Sequence, residues 1–66
     1  MNMDMLRMEI DAAGLSMTKV AERSTVPRAT LYYRLEHPET WTVNEMIGVC
    51  KALKLTVIKR RAIFGI

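Results

Sequence analysis

The sequence predicts a small all-α domain of four or five short helices. Within residues 15–36, apolar residues recur at helical spacing in two stretches that only a short turn separates. Further along, Thr42 and Glu45 form the T-x-x-E pattern that begins a helix. The 66 residues suffice for one domain. We therefore expect residues 1–66 to form a single helical domain.

The first helix is expected from about Met3 to Ala13. Its core-facing residues would be Met3, Leu6, Ile10 and Ala13. Gly14 follows as the residue that ends the helix in a left-handed conformation. Met5 and Met8 form a second apolar stripe, which is open to three interpretations: further core, a partner surface or flexible filler.

The second and third helices are the most informative part of the chain. Ser16 can cap the second helix, whose core-facing residues would be Met17, Val20, Ala21 and Ser24. Only Thr25 and Val26 lie between this helix and Pro27, whose fixed φ suits the start of a third helix that ends near Glu36. So short a connection forces two helices to cross steeply. The spacing therefore predicts a central helix-turn-helix.

This stretch resembles the phage repressor and Cro-like group of helix-turn-helix proteins, the XRE-like class, and the resemblance covers most of the chain. The similar segments are Gly14-Leu15-Ser16, Val20-Ala21, Val26-Pro27, Thr30-Leu31, Pro38 with Trp41-Thr42 and Glu45, and Ala52-Leu53-Lys54-Leu55. The resemblance implies a sequence-specific transcriptional regulator that binds double-stranded DNA, a repressor of phage or bacterial origin. It implies no cofactor.

Two positions depart from the family pattern. Thr25 stands where the family usually has glycine, and Met17 stands where it often has glutamine. A β-branched residue with positive φ is strained by about 1–3 kcal/mol. We therefore expect a slightly different turn at Thr25.

The third helix supplies the candidate DNA contacts. With Leu31 and Leu35 facing the core, the residues expected to contact bases are Arg28, Ala29, Tyr32 and Tyr33. The Arg28 guanidinium matches guanine O6 and N7, and the alternatives are a phosphate contact and a solvent-exposed charge without a partner. Of the two tyrosines, Tyr33 is expected to point outward. The candidate DNA-backbone contacts are Ser16, Thr18, Lys19, Thr30, Arg34 and Thr40. The charge of Arg34 would reach either a phosphate or Glu22.

The fourth helix begins at Thr42, where Trp41 can pack onto Met46 as a hydrophobic staple. Its core-facing residues would be Val43, Met46, Ile47, Cys50 and Leu53. Gly48 in a helix interior indicates close approach of another backbone, either within the fold or across a dimer. The Cys50 thiol is expected in the core.

Residues 56–66 fit two descriptions, a helix capped by Thr56 or a strand of the kind through which some Cro-like proteins pair. We favour a helix to about Arg61 followed by an extended tail. Ile63, Phe64 and Ile66 would then form an exposed apolar cluster. Since a single small domain contacts few bases, two half-sites and a homodimer are expected, with this cluster as the dimerisation surface.

Charge and composition bound the function further. The net charge is +3, and residues 1–14 carry three acidic and one basic side chain while residues 15–66 carry nine basic and four acidic ones. The positive surplus therefore lies with the predicted DNA-binding segment, as a polyanion partner would require. A chain this short leaves little room for a catalytic cleft beside its core, so an enzyme is not expected.

Several other classes are not expected either. The lone Cys50 cannot form an internal disulfide, and with one histidine the chain has too few ligands for structural zinc. Neither a membrane span nor a signal peptide is evident, so a cytoplasmic protein is expected, and no small-molecule ligand is indicated. The rival functions are a protein-interaction module, such as an antitoxin or adaptor, and an accessory factor for recombination or excision.

Overall fold

The computed structural model describes residues 1–66 and is entirely helical, which confirms the all-α class. The five α-helices are α1 (Met3–Ala12), α2 (Met17–Ser24), α3 (Arg28–Glu36), α4 (Val43–Ala52) and α5 (Val57–Phe64), and a short 3₁₀ helix spans Pro38–Thr40. All five helices contribute side chains to one hydrophobic core. None of these helices has the length and apolar character needed to cross a membrane.

Side chains cap four of the five helices. Asn2, Ser16, Thr42 and Thr56 each accept a hydrogen bond from the backbone N–H three residues later. The predicted caps at Ser16, Thr42 and Thr56 are confirmed, and the Thr42–Glu45 capping box is complete in both directions. α3 begins without a side-chain cap, directly after Pro27. These caps satisfy backbone donors that would otherwise lack a partner at each helix start.

The turn between α2 and α3 differs from the expectation. Thr25 does adopt the left-handed conformation, with φ 60° and ψ 20°, so the prediction of a different turn is wrong. Local bonds hold this conformation: the Thr25 hydroxyl donates to the Ser24 carbonyl at 2.6 Å, and the Val26 N–H donates to the Ser24 hydroxyl at 3.3 Å. Val26 is buried. Placing Val26 in the core directly after α2 requires the reversal that a left-handed residue supplies.

The core face of α4 is shifted from the predicted one. Met46, Val49 and Cys50 are buried, whereas Val43 is 60% exposed and Ile47 is 39% exposed, so these two do not belong to the core. The predicted thiol position is confirmed, and burial raises the pKa of the Cys50 thiol.

Close packing of α4 against α2 fixes this rotation. A Cβ atom added to Gly48 would lie 2.6 Å from the Ser24 carbonyl oxygen. The close approach that Gly48 predicts therefore occurs within the fold. Since this contact turns the Gly48 side of α4 toward α2, Val43 and Ile47 are left on the outer side.

The end of α1 needs a smaller correction. Met3, Leu6 and Ile10 are buried as predicted, but the helix ends at Ala12 and Ala13 is exposed. Gly14 follows with φ 69°, which confirms its predicted left-handed conformation. Of the second methionine stripe, Met5 packs partly against the core and Met8 is exposed.

α5 is longer than predicted, and this changes the role of its apolar residues. The favoured helix is confirmed, but it continues to Phe64 and ends at Gly65 with φ 79°, so there is no extended tail after Arg61. Ile63 is fully buried and Phe64 is 6% exposed. The Phe64 ring meets the Trp41 ring edge-on at 5.1 Å between centroids.

Ile63, Phe64 and Ile66 therefore do not form the exposed apolar cluster that was expected to be a dimerisation surface, because Ile63 and Phe64 are buried. The extra helical residues bring Ile63 and Phe64 onto the side that packs against α1, where the Ile63 carbonyl also accepts the Asn2 N–H at 2.8 Å. Ile66 alone stays partly exposed. The exposed apolar residues of α5 are instead Val57 and Ile58 at its start.

Replacing Phe64 by alanine should lower the free energy of unfolding by about 3–5 kcal/mol, the usual loss for a buried phenylalanine. For a domain of this size that is a large part of the total. Urea unfolding followed by circular dichroism measures it, and Ile66→Ala, with a partly exposed side chain, is the control with little expected change. A folded protein after deletion of residues 62–66 would contradict the core position of this segment.

Replacing Thr25 by glycine should raise the free energy of unfolding by about 1 kcal/mol. The strain relieved, about 1–3 kcal/mol, exceeds the entropic penalty of glycine, about 0.5–1 kcal/mol. Ala13→Gly is the matched control, because Ala13 follows α1 in the right-handed conformation at φ −74° and has no strain to relieve. Equal destabilisation by both substitutions would show that the turn is not strained.

Candidate nucleic-acid interface

The connection between α2 and α3 presents one face of α3 to solvent. α2 packs against α4 and α3, with Val20 fully buried. On α3, Leu31 and Leu35 are buried as predicted. Because both helices direct one side to the same core, the opposite side of α3 is exposed to solvent.

The exposed side of α3 carries the four predicted base-contacting residues. Arg28, Ala29, Tyr32 and Tyr33 are all exposed, Tyr32 at 47% and Tyr33 at 52%. The structure therefore brings this predicted set together on one helix. Both tyrosines point outward, which extends the expectation made for Tyr33 alone. Thr30 is half-buried at the edge of this face.

Neighbouring charged and aromatic groups restrict the two tyrosine rings. The Arg28 guanidinium lies 5.6 Å from the centroid of the Tyr32 ring, and the Arg34 guanidinium lies 5.8 Å from that of Tyr33. On its other side, Tyr33 packs against the His37 ring with centroids 4.5 Å apart. The contact of His37 with Tyr33 was not predicted, although His37 directly follows α3 and stands four residues after Tyr33. These contacts orient the rings before any ligand arrives.

Arg34 forms an ion pair that the sequence did not predict. Its Nε donates to Glu45 Oε1 at 2.9 Å and its Nη2 donates to Glu45 Oε2 at 3.3 Å. The two side chains are 21% and 19% exposed. The predicted contact of Arg34 with Glu22 is therefore wrong, whereas a contact of Arg34 with a phosphate stays a prediction, because the pair with Glu45 uses only two of the five N–H donors of the guanidinium. Glu22 instead pairs with Lys19 at 3.3 Å.

The Arg34–Glu45 pair connects α3 to the start of α4. Glu45 also accepts the Thr42 N–H at 3.0 Å, so one carboxylate serves the ion pair and the capping box together. The hydrogen bond from Arg34 is the main reason that the pKa of Glu45 is lowered. Arg34 therefore helps to position α3 against the start of α4.

The remaining predicted backbone contacts fall in two places. Ser16, Thr18 and Lys19 are exposed at the start of α2. The Lys19–Glu22 pair is exposed, and such pairs are weak enough for a phosphate to displace the carboxylate. Thr40 lies beyond the other end of α3, where its hydroxyl donates to the His37 carbonyl at 2.6 Å.

The free positive charge of the protein is confined to a few residues. Every carboxylate except that of Asp11 has a basic partner within 4.0 Å, counting the His37–Glu39 contact at 3.7 Å. The basic residues without a carboxylate partner are Arg23, Arg28, Lys51, Lys54, Arg60 and Arg61. Arg28 is thus the one unpaired cation on the exposed side of α3.

Comparison with known proteins adds no family assignment. No protein-family model, curated protein or solved structure matches the chain. The side chains also form no group of three or more histidine, cysteine, aspartate or glutamate residues that could hold a metal ion. The geometry of α2 and α3 and the distribution of charge are the features that bear on function.

Replacing Glu45 by glutamine should lower the free energy of unfolding at pH 7 by about 1–2 kcal/mol, through loss of a charge-assisted bond. Because folding lowers the pKa of Glu45, its stabilisation is complete above the unfolded-state pKa and disappears as the pH falls through the lower folded-state pKa. The wild-type and Glu45→Gln curves should therefore converge in acid.

Urea unfolding between pH 7 and pH 2 measures this difference. Glu39→Gln is the control, since Glu39 is 71% exposed and contacts only His37. If the free energies of unfolding of wild type and Glu45→Gln differ by the same amount at every pH, the charge of Glu45 does not stabilise the fold.

Proposed function

We propose that this protein is a sequence-specific regulator that binds double-stranded DNA through a helix-turn-helix formed by α2 and α3, and that it represses transcription. The observation that carries the proposal is the exposed side of α3, which combines one unpaired arginine with two oriented tyrosines. The short connection to α2 and the regulators of phage and bacteria that the sequence resembles favour the same function.

In this proposal α3 lies in the major groove. Arg28 is in its first turn, where a recognition helix presents side chains to base edges, and its guanidinium would bind guanine O6 and N7. Ala29 leaves room for close approach, and the tyrosines would contact a thymine methyl group or hydrogen-bond through their hydroxyls. This arrangement gives base discrimination from one face of a single helix.

The start of α2 would hold the DNA backbone. The first N–H groups of a helix attract phosphate oxygens, and here Ser16, Thr18 and Lys19 surround them. Thr30, at the edge of the exposed side of α3, would add a further contact with the DNA backbone. Such contacts fix the register of α3 in the groove.

The proposal includes a homodimer. One domain of this size reads few base pairs, and two half-sites one helical turn apart, about 34–36 Å, give adequate specificity. DNA geometry is what favours the dimer, because Ile63 and Phe64 belong to the core of the single chain and cannot form its contact surface.

A protein-interaction module is the second candidate, and exposed apolar side chains favour it. Ile58 is 81% exposed, and Val43 and Met8 are also largely exposed. These residues lie on three different helices, α5, α4 and α1. By contrast, the proposed base-contacting residues share one face of α3, so we favour DNA as the ligand.

Selection from a pool of randomised duplexes tests the proposal directly. Repeated capture by the protein should enrich an inverted repeat whose half-sites are about one helical turn apart. A reporter gene placed behind the enriched sequence should show lower expression when the protein is present. A pool that stays random after repeated selection would contradict sequence-specific binding.

Replacing Arg28 by alanine should weaken binding to the enriched site by about 1–3 kcal/mol and relax the preference at one base position. Binding to a scrambled duplex should change far less. Fluorescence anisotropy measures both affinities. Arg61→Ala is the matched control, because Arg61 is also an unpaired, exposed arginine but lies on α5. An equal loss of affinity for both duplexes would show that Arg28 contacts a phosphate and not a base.

A further inference from the structure

A second concentration of positive charge lies away from α3. Arg23 in the last turn of α2, Lys51 in the last turn of α4 and Lys54 just after α4 line one shallow depression of about 390 Å³, together with Ala52. None of the three cations has a carboxylate within 4.0 Å. Half of the unpaired basic residues of the protein therefore surround a single depression.

The packing of α2 on α4 holds this cluster in place. Arg23 precedes Ser24, whose carbonyl meets Gly48, and Lys51 follows Gly48 by less than one helical turn. Because the backbones are in contact at this point, the Cα atoms of the three basic residues hold fixed positions around the depression. Like charges held together repel, and a bound anion removes that repulsion.

Lys54 has a strained backbone. It follows α4 with φ 52°, and its N–H donates to the Lys51 carbonyl at 3.2 Å while the Leu55 N–H donates to the Cys50 carbonyl at 3.0 Å. This is the helix ending that glycine usually occupies. The backbone of Lys54 is strained where that of glycine would not be. Lysine, unlike glycine, adds a third positive charge to the depression.

We propose that Arg23, Lys51 and Lys54 bind phosphate groups of duplex DNA as a contact separate from the exposed face of α3. This inference rests on the proposed function and extends it, because it enlarges the DNA backbone contact beyond the start of α2. The three side chains neutralise phosphates and leave base discrimination to α3. Their contribution is the same for every DNA sequence.

The salt dependence of DNA binding tests this role. The triple variant R23Q/K51Q/K54Q should reduce the slope of log affinity against log salt by about three times 0.9 units, one step for each phosphate. The affinity ratio between the enriched and the scrambled duplex should stay as in the wild type. A wild-type slope in the triple variant would overturn the proposal and leave the cluster to another anionic partner, such as an acidic protein.

The salt slope of the triple variant and the affinity of Arg28→Ala together distinguish failure of the phosphate contact from failure of the proposed function. If the triple variant keeps the wild-type slope while Arg28→Ala still weakens binding to the enriched site, only the phosphate contact is wrong. If the wild-type protein binds neither duplex, both proposals fall. Arg61→Gln removes one charge from α5, outside the depression, and should leave the slope unchanged.

Lys54→Gly separates the ligand role from a structural one. Glycine relieves the positive φ, so this variant should unfold at a higher urea concentration than the wild type. It should nevertheless lose about 0.9 units of the salt slope, because one phosphate contact is gone. A variant that is more stable and retains the full slope would show that Lys54 does not contact DNA.

Discussion

The contact between the Ser24 carbonyl and Gly48 is the constraint on which the rest of the structure depends. It brings the backbones of α2 and α4 closer than any side chain at position 48 permits. From this contact follow the rotation of α4, which buries Met46, Val49 and Cys50, and the fixed position of the end of α2. The turn begins there, because the Ser24 hydroxyl accepts the Val26 N–H. The direction in which α3 leaves α2 is thus set by the packing of α2 on α4.

α3 is also held at its far end. Arg34 makes two bonds to Glu45 at the start of α4, and Arg7 of α1 donates to the Leu35 carbonyl at 3.4 Å. With the left-handed Thr25 turn before it and these contacts after it, α3 is fixed at both ends. These contacts hold both ends of α3, so binding of a ligand to its exposed side would require little ordering of the helix.

The local features were predictable from the sequence, and the features that depend on distant residues were not. Helix caps such as Thr42 and the buried pair Leu31 and Leu35 follow from neighbours within one or two turns, as does the outward direction of Tyr33. The Arg34–Glu45 pair joins two different helices, and residue spacing on one helix says nothing about such a pair. The strain of a β-branched residue argues against the left-handed conformation of Thr25. Burial of Val26 offsets that strain, and this burial depends on residues that are distant in the sequence.

The same distinction explains the errors on α4 and α5. Val43 and Ile47 fit an apolar stripe, but the close approach at Gly48 selects a neighbouring stripe for the core. Ile63 and Phe64 were expected to be exposed because they stand near the end of the sequence. Contacts with Trp41 and with the start of α1 bury them instead. Hydrophobicity identifies the residues that burial would stabilise, and the packing of the helices determines which of them are buried.

The central claim is that the exposed side of α3 contacts the bases. Titration of the isotope-labelled protein with the enriched duplex, followed by amide chemical shifts, tests it most directly. The account predicts the largest shift changes from Arg28 to Tyr33 and a second group from Ser16 to Lys19. Changes confined to α1 and α5, around Met8 and Ile58, would contradict the account and identify a different binding surface.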